Sequence, residues 1–378
     1  MNHRTIAMLL SALLATTGSV SACAQVIEHV DVYKVAGRFG GWPANHGIWS
    51  WGDEILVGLQ SGYFKASRRG HAIDSDQPRE NLLARSTDGG RTWKIETPAA
   101  LEPPHRGGKS FVKLTEPIDF SPPDLILKFG RSGLHKGAES WFWSSPDRGR
   151  SWSGPFRLPM FDLPGIAART DYLVDGKHAL TAMLTGAKSN GREGRPFCAR
   201  TTDGGRQWEF VSWIGPEPDC PDTMRSCYSI MPATVRLSAS RLVTTIRRKE
   251  GRAAWIEAFG SDDNGVTWTF MNRPAPDTGG GNPSSLIRLA DGRLCVCYGY
   301  RASPFGMRAK LSADDGVTWG KEITLRDDGG CWDLGYPRSV QRTDGKVVTI
   351  YYFNEHTDGD RYIAATIWDP GRSGKSST

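Results

Sequence analysis

The sequence predicts an all-β chain, a six-bladed β-propeller of four-stranded antiparallel blades, on three observations. The pattern Ser/Thr-x-Asp-x-Gly-x-x-Trp occurs five times, starting at Ser86, Ser145, Thr201, Ser261 and Ser312 and ending at Trp93, Trp152, Trp208, Trp268 and Trp319. Successive starts lie 59, 56, 60 and 51 residues apart, the length of one four-stranded blade. Short apolar runs precede each box, and the hairpin signals Asp175-Gly176, Asp291-Gly292 and Asp344-Gly345 enter several of the second strands with which those runs pair. A content of 14 Trp, 44 Gly and 23 Pro in 378 residues suits many short strands joined by turns.

Within a box, the Asp caps backbone N–H groups, the Gly takes positive φ and the Trp packs between neighbouring sheets. The strands before the boxes read 82–85, 141–144, 197–201, 254–259 and 307–311; a sixth, 362–368, has no box. Their partners, the second strands, read 55–59, 125–129, 178–184, 242–246, 294–298 and 347–351. Six of each imply six blades. No further strand follows Trp368, so Val26 to Val35 is expected to close the ring as the outer strand of the last blade, which removes an open edge. The propeller is expected to span residues 25–370, with a disordered tail at 371–378.

Residues 1–24 read as a secretory leader: Arg4 supplies charge, Ile6 to Ala15 is apolar, and small residues follow. Val20-Ser21-Ala22-Cys23 resembles a bacterial lipobox, in which Cys23 would be lipidated and attach the chain to a membrane. Ala22-Cys23-Ala24 equally offers an ordinary A-x-A cleavage site. Either outcome predicts export, to the periplasm, as an outer-membrane lipoprotein or into the medium. No later stretch is apolar enough to span a bilayer. The formal net charge of +6 is spread along the chain, which suits an anionic substrate and does not indicate nucleic acid. Cys220 and Cys227 are the best candidates for a disulfide, whereas Cys295 and Cys297 alternate on one strand as small buried hydrophobes. No spacing resembles a metal site or a P-loop, so no metal or cofactor is expected, and the expected state is a monomer.

The five boxes resemble the Asp-box (BNR) repeat of sialidases (neuraminidases) and related propellers. Such boxes lie on the rim and also occur in propellers that catalyse nothing, so they speak for architecture and not for chemistry. Propeller substrates bind at one mouth of the axial channel. The blade register places Asn45, His46, Tyr228 to Met231, Arg247, Asn282, Tyr300, Arg301, Tyr336 and Arg338 around it.

The resemblance reaches single residues. Ile73-Asp74, twelve residues before the first box serine, is similar to the sialidase segment carrying the acid/base aspartate, which makes Asp74 the acid/base candidate. The stretch DLGYPRSVQRTDGKVVTIYY is similar to the strand pair bearing the nucleophilic tyrosine, and Tyr336 stands in its place. A neutral phenol suits a sugar with a carboxylate on its anomeric carbon, since an attacking carboxylate would be repelled. MPATVRLSASRLVTTIRR resembles the pair whose closing arginine grips that carboxylate, at Arg247, and blade five offers Arg301 or Arg308 for a second contact.

Two positions depart from the pattern. The family glutamate that draws the proton from the tyrosine falls at Met231, leaving Asp333 or Glu355 as substitutes, unless flanking arginines lower the phenol's pKa. The first-blade arginine falls at Pro43, with Arg38 nearby to reach in from the preceding loop. His46, beside Trp42 and Asn45 in a segment suited to a sugar ring, is a secondary catalytic candidate, although a lone histidine is more often structural.

These readings predict an exo-acting glycoside hydrolase removing a terminal acidic sugar from a glycan or glycoconjugate, in the manner of an exo-α-sialidase. A polysaccharide lyase or rhamnosidase-like enzyme on uronate-containing glycans is the alternative, and a non-catalytic glycan-binding propeller is the third.

Overall fold

The structure, a computed structural model, describes residues 24–371 except 68–69, 105–109, 222 and 225. The expected leader up to Cys23, and the tail from residue 372, lie outside the described residues.

The chain enters as β1 (Gln25–Tyr33) and then builds six antiparallel sheets in succession. Blade one holds β2 (Arg38–Gly41), a helical turn α1 (Pro43–His46), β3 (Ile48–Trp51), β4 (Glu54–Tyr63), β5 (Glu80–Ser86) and β6 (Lys94–Glu96). Blade two holds β7 (Ile126–Arg131), β8 (Ser140–Ser145) and β9 (Ser153–Arg157). Blade three follows with β10 (Tyr172–Val174), β11 (Leu180–Ala187), β12 (Glu193–Thr201) and β13 (Glu209–Trp213). Blade four is β14 (Cys227–Arg236), β15 (Leu242–Glu250), β16 (Ala253–Ser261) and β17 (Thr269–Ala275). Blade five is β18 (Ser284–Arg288), β19 (Leu294–Tyr300), β20 (Phe305–Ser312) and β21 (Ile323–Gly329). Blade six comprises β22 (Gly335–Gln341), β23 (Val347–Phe353) and β24 (Tyr362–Asp369), and β1 pairs along β24 as its outer strand. The fold is the six-bladed propeller that the repeat predicts, closed by its N-terminal strand.

The boxes do the work their composition implies. In the first, Ser86 Oγ donates to Asp88 Oδ1 at 2.8 Å and accepts the Gly90 N–H at 2.8 Å, while Asp88 also takes the Thr92 N–H at 2.9 Å and the Thr92 hydroxyl at 2.6 Å. Ser145, Thr201, Ser261 and Ser312 bond Asp147, Asp203, Asp263 and Asp314 in the same way. Burial alone would raise the Asp88 carboxyl, but the hydrogen bonds from Thr92 and Ser86 outweigh it and hold the pKa at about 2. The box glycines have φ between 83° and 92°, which a side chain would strain.

Each box Trp seals its sheet to the preceding blade: Trp152 packs with Leu56, Trp268 with Met183, Trp319 with Val243, and Trp93 with Val348 across the closure. Burying one such side chain contributes on the order of 2–3 kcal/mol, so the core is a ring of wedges between blades.

Two irregularities shape the axial mouth. The innermost strand of blade one is broken: β3 pairs with the start of β4 and β2 with its end, and α1 between them turns Asn45 and His46 inward, where both are buried. Blade two has three strands among the described residues, so β7 presents a free edge toward the axis. Side chains cap that edge. The Leu127 N–H donates to Tyr172 Oη at 3.0 Å and the Phe129 N–H to Thr170 Oγ1 at 3.1 Å, which satisfies both donors.

The Cys220–Cys227 disulfide is present. Cys295 and Cys297 are unbridged and buried, with sulfurs 3.7 Å apart on one face of β19. No helix among the described residues is long and apolar enough to cross a membrane.

Candidate active site

A cavity of about 820 Å³ opens at the mouth, walled by α1, β7, Arg169 and the facing ends of blades four and six. Tyr336 starts the wall of blade six. It sits in the left-handed region at φ 52°, and its N–H is held by Asn282 Oδ1 at 2.9 Å. Trp42 and Met231, also at this mouth, share that backbone conformation at φ 60° and 59°, a clustering of strain typical of functional sites.

Arg247, buried near the end of β15, donates from Nη1 to Tyr336 Oη at 3.0 Å. The Arg301 guanidinium lies 5.4 Å from the Tyr336 ring, fixed from behind by the carbonyls of Leu334 and Gly281 and by Tyr352 Oη. Burial pushes the Tyr336 phenol up, yet the charges of Arg247, Arg301 and Arg169 and the Arg247 hydrogen bond together bring its pKa below that of a free phenol.

Further cations fill the opposite wall. Arg169 pairs with Glu193 at 2.6 Å and bonds Asn45 Oδ1 at 3.3 Å. Burial, then the Arg169 charge, lowers Arg131 to about 9; burial and Arg131 lower Lys128 to about 7. Lys128 Nζ lies 3.0 Å from His46 Nδ1, and burial with the charges of Lys128, Arg131 and Arg338 keeps His46 well below an ordinary histidine. Glu193 is the only acid among the described lining residues, which include six Lys or Arg side chains. The cavity is therefore a positive well suited to an anion.

Between Trp42 and Tyr336 stands His71, on the loop joining β4 to β5. Its ring lies 5.1 Å from Trp42 and 6.2 Å, edge-on, from Tyr336. Nδ1 contacts Asp333 Oδ1 at 2.5 Å. Asp333 is fully buried and also accepts from the Ala72 N–H at 2.9 Å, Tyr352 Oη at 2.8 Å and Arg361 Nε at 3.0 Å.

The structure brings Tyr336, Arg247, Arg301 and His46 together, with Arg301 behind the phenol and not on the cavity surface. Three expected residues are elsewhere. Asp74 is not among the lining residues: its carboxylate binds Lys65 at 3.2 Å and the Asp76 N–H at 3.1 Å. Arg38 is held over Tyr63 and bonded to Ser61 and to Glu80 at 2.6 Å, so it does not reach in. Arg308, on the third strand of blade five, is tied to the Arg326 and Pro304 carbonyls and to Glu322. Among the substitutes for the missing glutamate, Glu355 engages Lys34 and Tyr362, and Asp333 reaches the site through His71 and Tyr352. Met231 packs against Tyr336 where that glutamate is expected.

Lys128, Arg131, Arg169 and His71 were not legible as site residues, and Asp333 was legible only as a substitute acid, without its pairing to His71. The first two sit on β7, which has no inner neighbour among the described residues. The pair joins positions 262 apart in sequence, and its only local sign is His71 three residues before Asp74.

The fold is shared with solved structures at low identity. A Dyadobacter fermentans protein of unknown function is 22% identical, covering 92% of this chain and 99% of that one with a TM-score of 0.69. Trypanosoma rangeli sialidase is 12% identical with a TM-score of 0.55 over 89% of this chain, which spans 55% of the sialidase. The Penicillium chrysogenum α-L-arabinanase complexed with arabinobiose is 12% identical, covering 91% and 98% with a TM-score of 0.59. No curated protein matches the chain. Residues 84–349 match the BNR repeat-like domain, and with its box-stitched blades the chain belongs to that family of sialidase-like propellers.

Proposed function

We propose that this protein is an exo-acting glycoside hydrolase that removes a terminal acidic sugar, of the sialic acid or related keto-sugar-acid class, from a glycan. The observation that carries this reading is Tyr336, a phenol with a lowered pKa, bonded to Arg247 on the wall of a cavity lined by cations. Arginine charges take over the activation that a glutamate at position 231 would supply. Tyr336 Oη attacks the anomeric carbon and holds the glycosyl group, and water later releases it. Arg247, Arg169 and Arg131 receive the sugar carboxylate, a role for which planar guanidinium groups are suited. Glycan binding at a propeller mouth also fits the sialidases and arabinanase that share the fold. We also propose export, which is consistent with the Cys220–Cys227 disulfide.

The test is to incubate the protein with sialylated and uronate-bearing glycans and identify released products by mass. Release of an acidic monosaccharide, lost in Tyr336→Phe, supports the reading; turnover unchanged in Tyr336→Phe sinks it. One observation favours a second reading, cleavage of uronate glycans by β-elimination: the buried His46–Lys128 pair is held toward its neutral, basic form. An unsaturated uronate product, visible by its ultraviolet absorbance, would establish that reading instead.

A further inference from the structure

We propose that His71, armed by Asp333, is the proton carrier of this site. The proposal rests on the hydrolase reading for its chemistry and on geometry for the residue. Asp333 lies at the floor of the mouth and accepts four hydrogen bonds, one from the buried Arg361 guanidinium. Burial would raise this carboxyl, but His71, the Ala72 N–H and Arg301 hold it far below the ordinary carboxylate range, so it is ionised at every working pH. An ionised acceptor 2.5 Å from Nδ1 fixes the proton on that nitrogen. The neutral imidazole therefore presents the lone pair of Nε2, the other ring nitrogen.

That ring is a lining residue of the cavity, with 29% of its side chain exposed. Trp42, Trp332, Tyr336 and Tyr352 surround it, and Arg301 and Arg247 are the cations that act on it. Burial and those two charges outweigh Asp333 and lower its pKa, so at neutral pH the ring accepts a proton before donating one. No other described group combines this placement with a free basic atom and a buried carboxylate to orient it. Asp74, three residues on, is committed to Lys65.

Tyr336 Oη bonds to the anomeric carbon while the bond from that carbon to the leaving oxygen breaks, and the phenolic proton passes to His71 Nε2 and on to the leaving oxygen. Water then attacks the same carbon and gives its proton to Nε2. The bond to Tyr336 breaks, and the phenolate takes the proton back. Asp333 is a positioning residue throughout, fixing the tautomer.

Two measurements decide the proposal. Nitrogen-15 NMR of histidine-labelled protein should show His71 with Nδ1 protonated, and diethyl pyrocarbonate should acylate Nε2, more slowly in Asp333→Asn. A proton on Nε2 in the wild type, or acylation indifferent to Asp333→Asn, overturns it whatever the substrate is. The second measurement uses His71→Gln, whose side-chain amide keeps a donor for Asp333. Its turnover of alkyl glycosides of acidic sugars should fall about a hundredfold or more, while nitrophenyl glycosides, which still need Nε2 as a base but no proton on the leaving oxygen, should lose at least about tenfold less. Equal losses on both would make His71 a structural residue and refute the proposal. If the wild type cleaves none of these glycosides, the hydrolase reading falls, and the NMR and acylation results still decide whether Asp333 arms His71.

Discussion

Replacing Arg247 by Met removes a positive charge and the hydrogen bond to Tyr336 while keeping a flexible chain of similar reach in the same buried slot on β15. A hydrogen bond from a charged donor contributes about 1.5–3 kcal/mol, and every 1.4 kcal/mol is a factor of ten. The phenolate of Tyr336 should therefore become roughly 10- to 150-fold scarcer near neutral pH, and kcat/KM should fall by a like factor if attack limits the rate. The sign follows from the opposing influences on the phenol. Burial raises its pKa and three arginines lower it, so deleting the nearest one moves the titration to higher pH. The acid limb of the pH–rate profile shifts the same way. Tyrosine labelled with carbon-13 at Cζ reports the titration directly, and Arg247→Lys, which restores charge without the planar fork, should recover part of the loss. If Tyr336 titrates identically in wild type and Arg247→Met, arginine activation of the phenol is wrong.

Other outcomes follow from the scaffold. Asp88→Ala deletes the acceptor at the centre of one box and should destabilise the protein by about 1–2 kcal/mol in urea unfolding. Because the folded Asp88 pKa is depressed to about 2, its stabilisation is complete above the ordinary carboxylate range and drains away as pH falls toward about 2, a loss that Asp88→Ala should not show. At Gly130 an added Cβ would meet Trp141 Nε1 at 2.6 Å and Trp143 Cζ3 at 2.9 Å, both rings being buried. Gly130→Ala should cost about 1–3 kcal/mol of stability and lower the melting temperature. Deleting residues 25–33 strips the partner from β24 and uncovers an edge, so the shortened chain should aggregate on size exclusion. Elution as a monomer with unchanged melting would contradict the closure.

The fold was legible because the box is a local device whose Ser, Asp, Gly and Trp each meet neighbours within a few residues, and its spacing counts the blades. Tyr336 and Arg247 were legible by register, since each sits at a fixed step from a hairpin or strand. Asp74 matched by spacing too, but spacing says nothing of Lys65, nine residues earlier, which claims its carboxylate. The choice between Arg301 and Arg308 needed coordinates because it turns on which strand face meets the axis. Lys128 and Arg131 sit on β7 of blade two, which among the described residues has no inner strand from which mouth positions are counted, and Arg169 lies before β10, outside any strand.

The closing strand also decides which way the axial mouth looks. Gln25 pairs with Asp369, at the end of a third strand, where the other blades carry their boxes, and Tyr33 pairs with Ile363 beside Arg361 and the His71 floor. Gln25 therefore lies at the rear of the disc, opposite the cationic mouth. Were the protein moored to a surface by that end, the mouth would face outward, open to polymers arriving from solution.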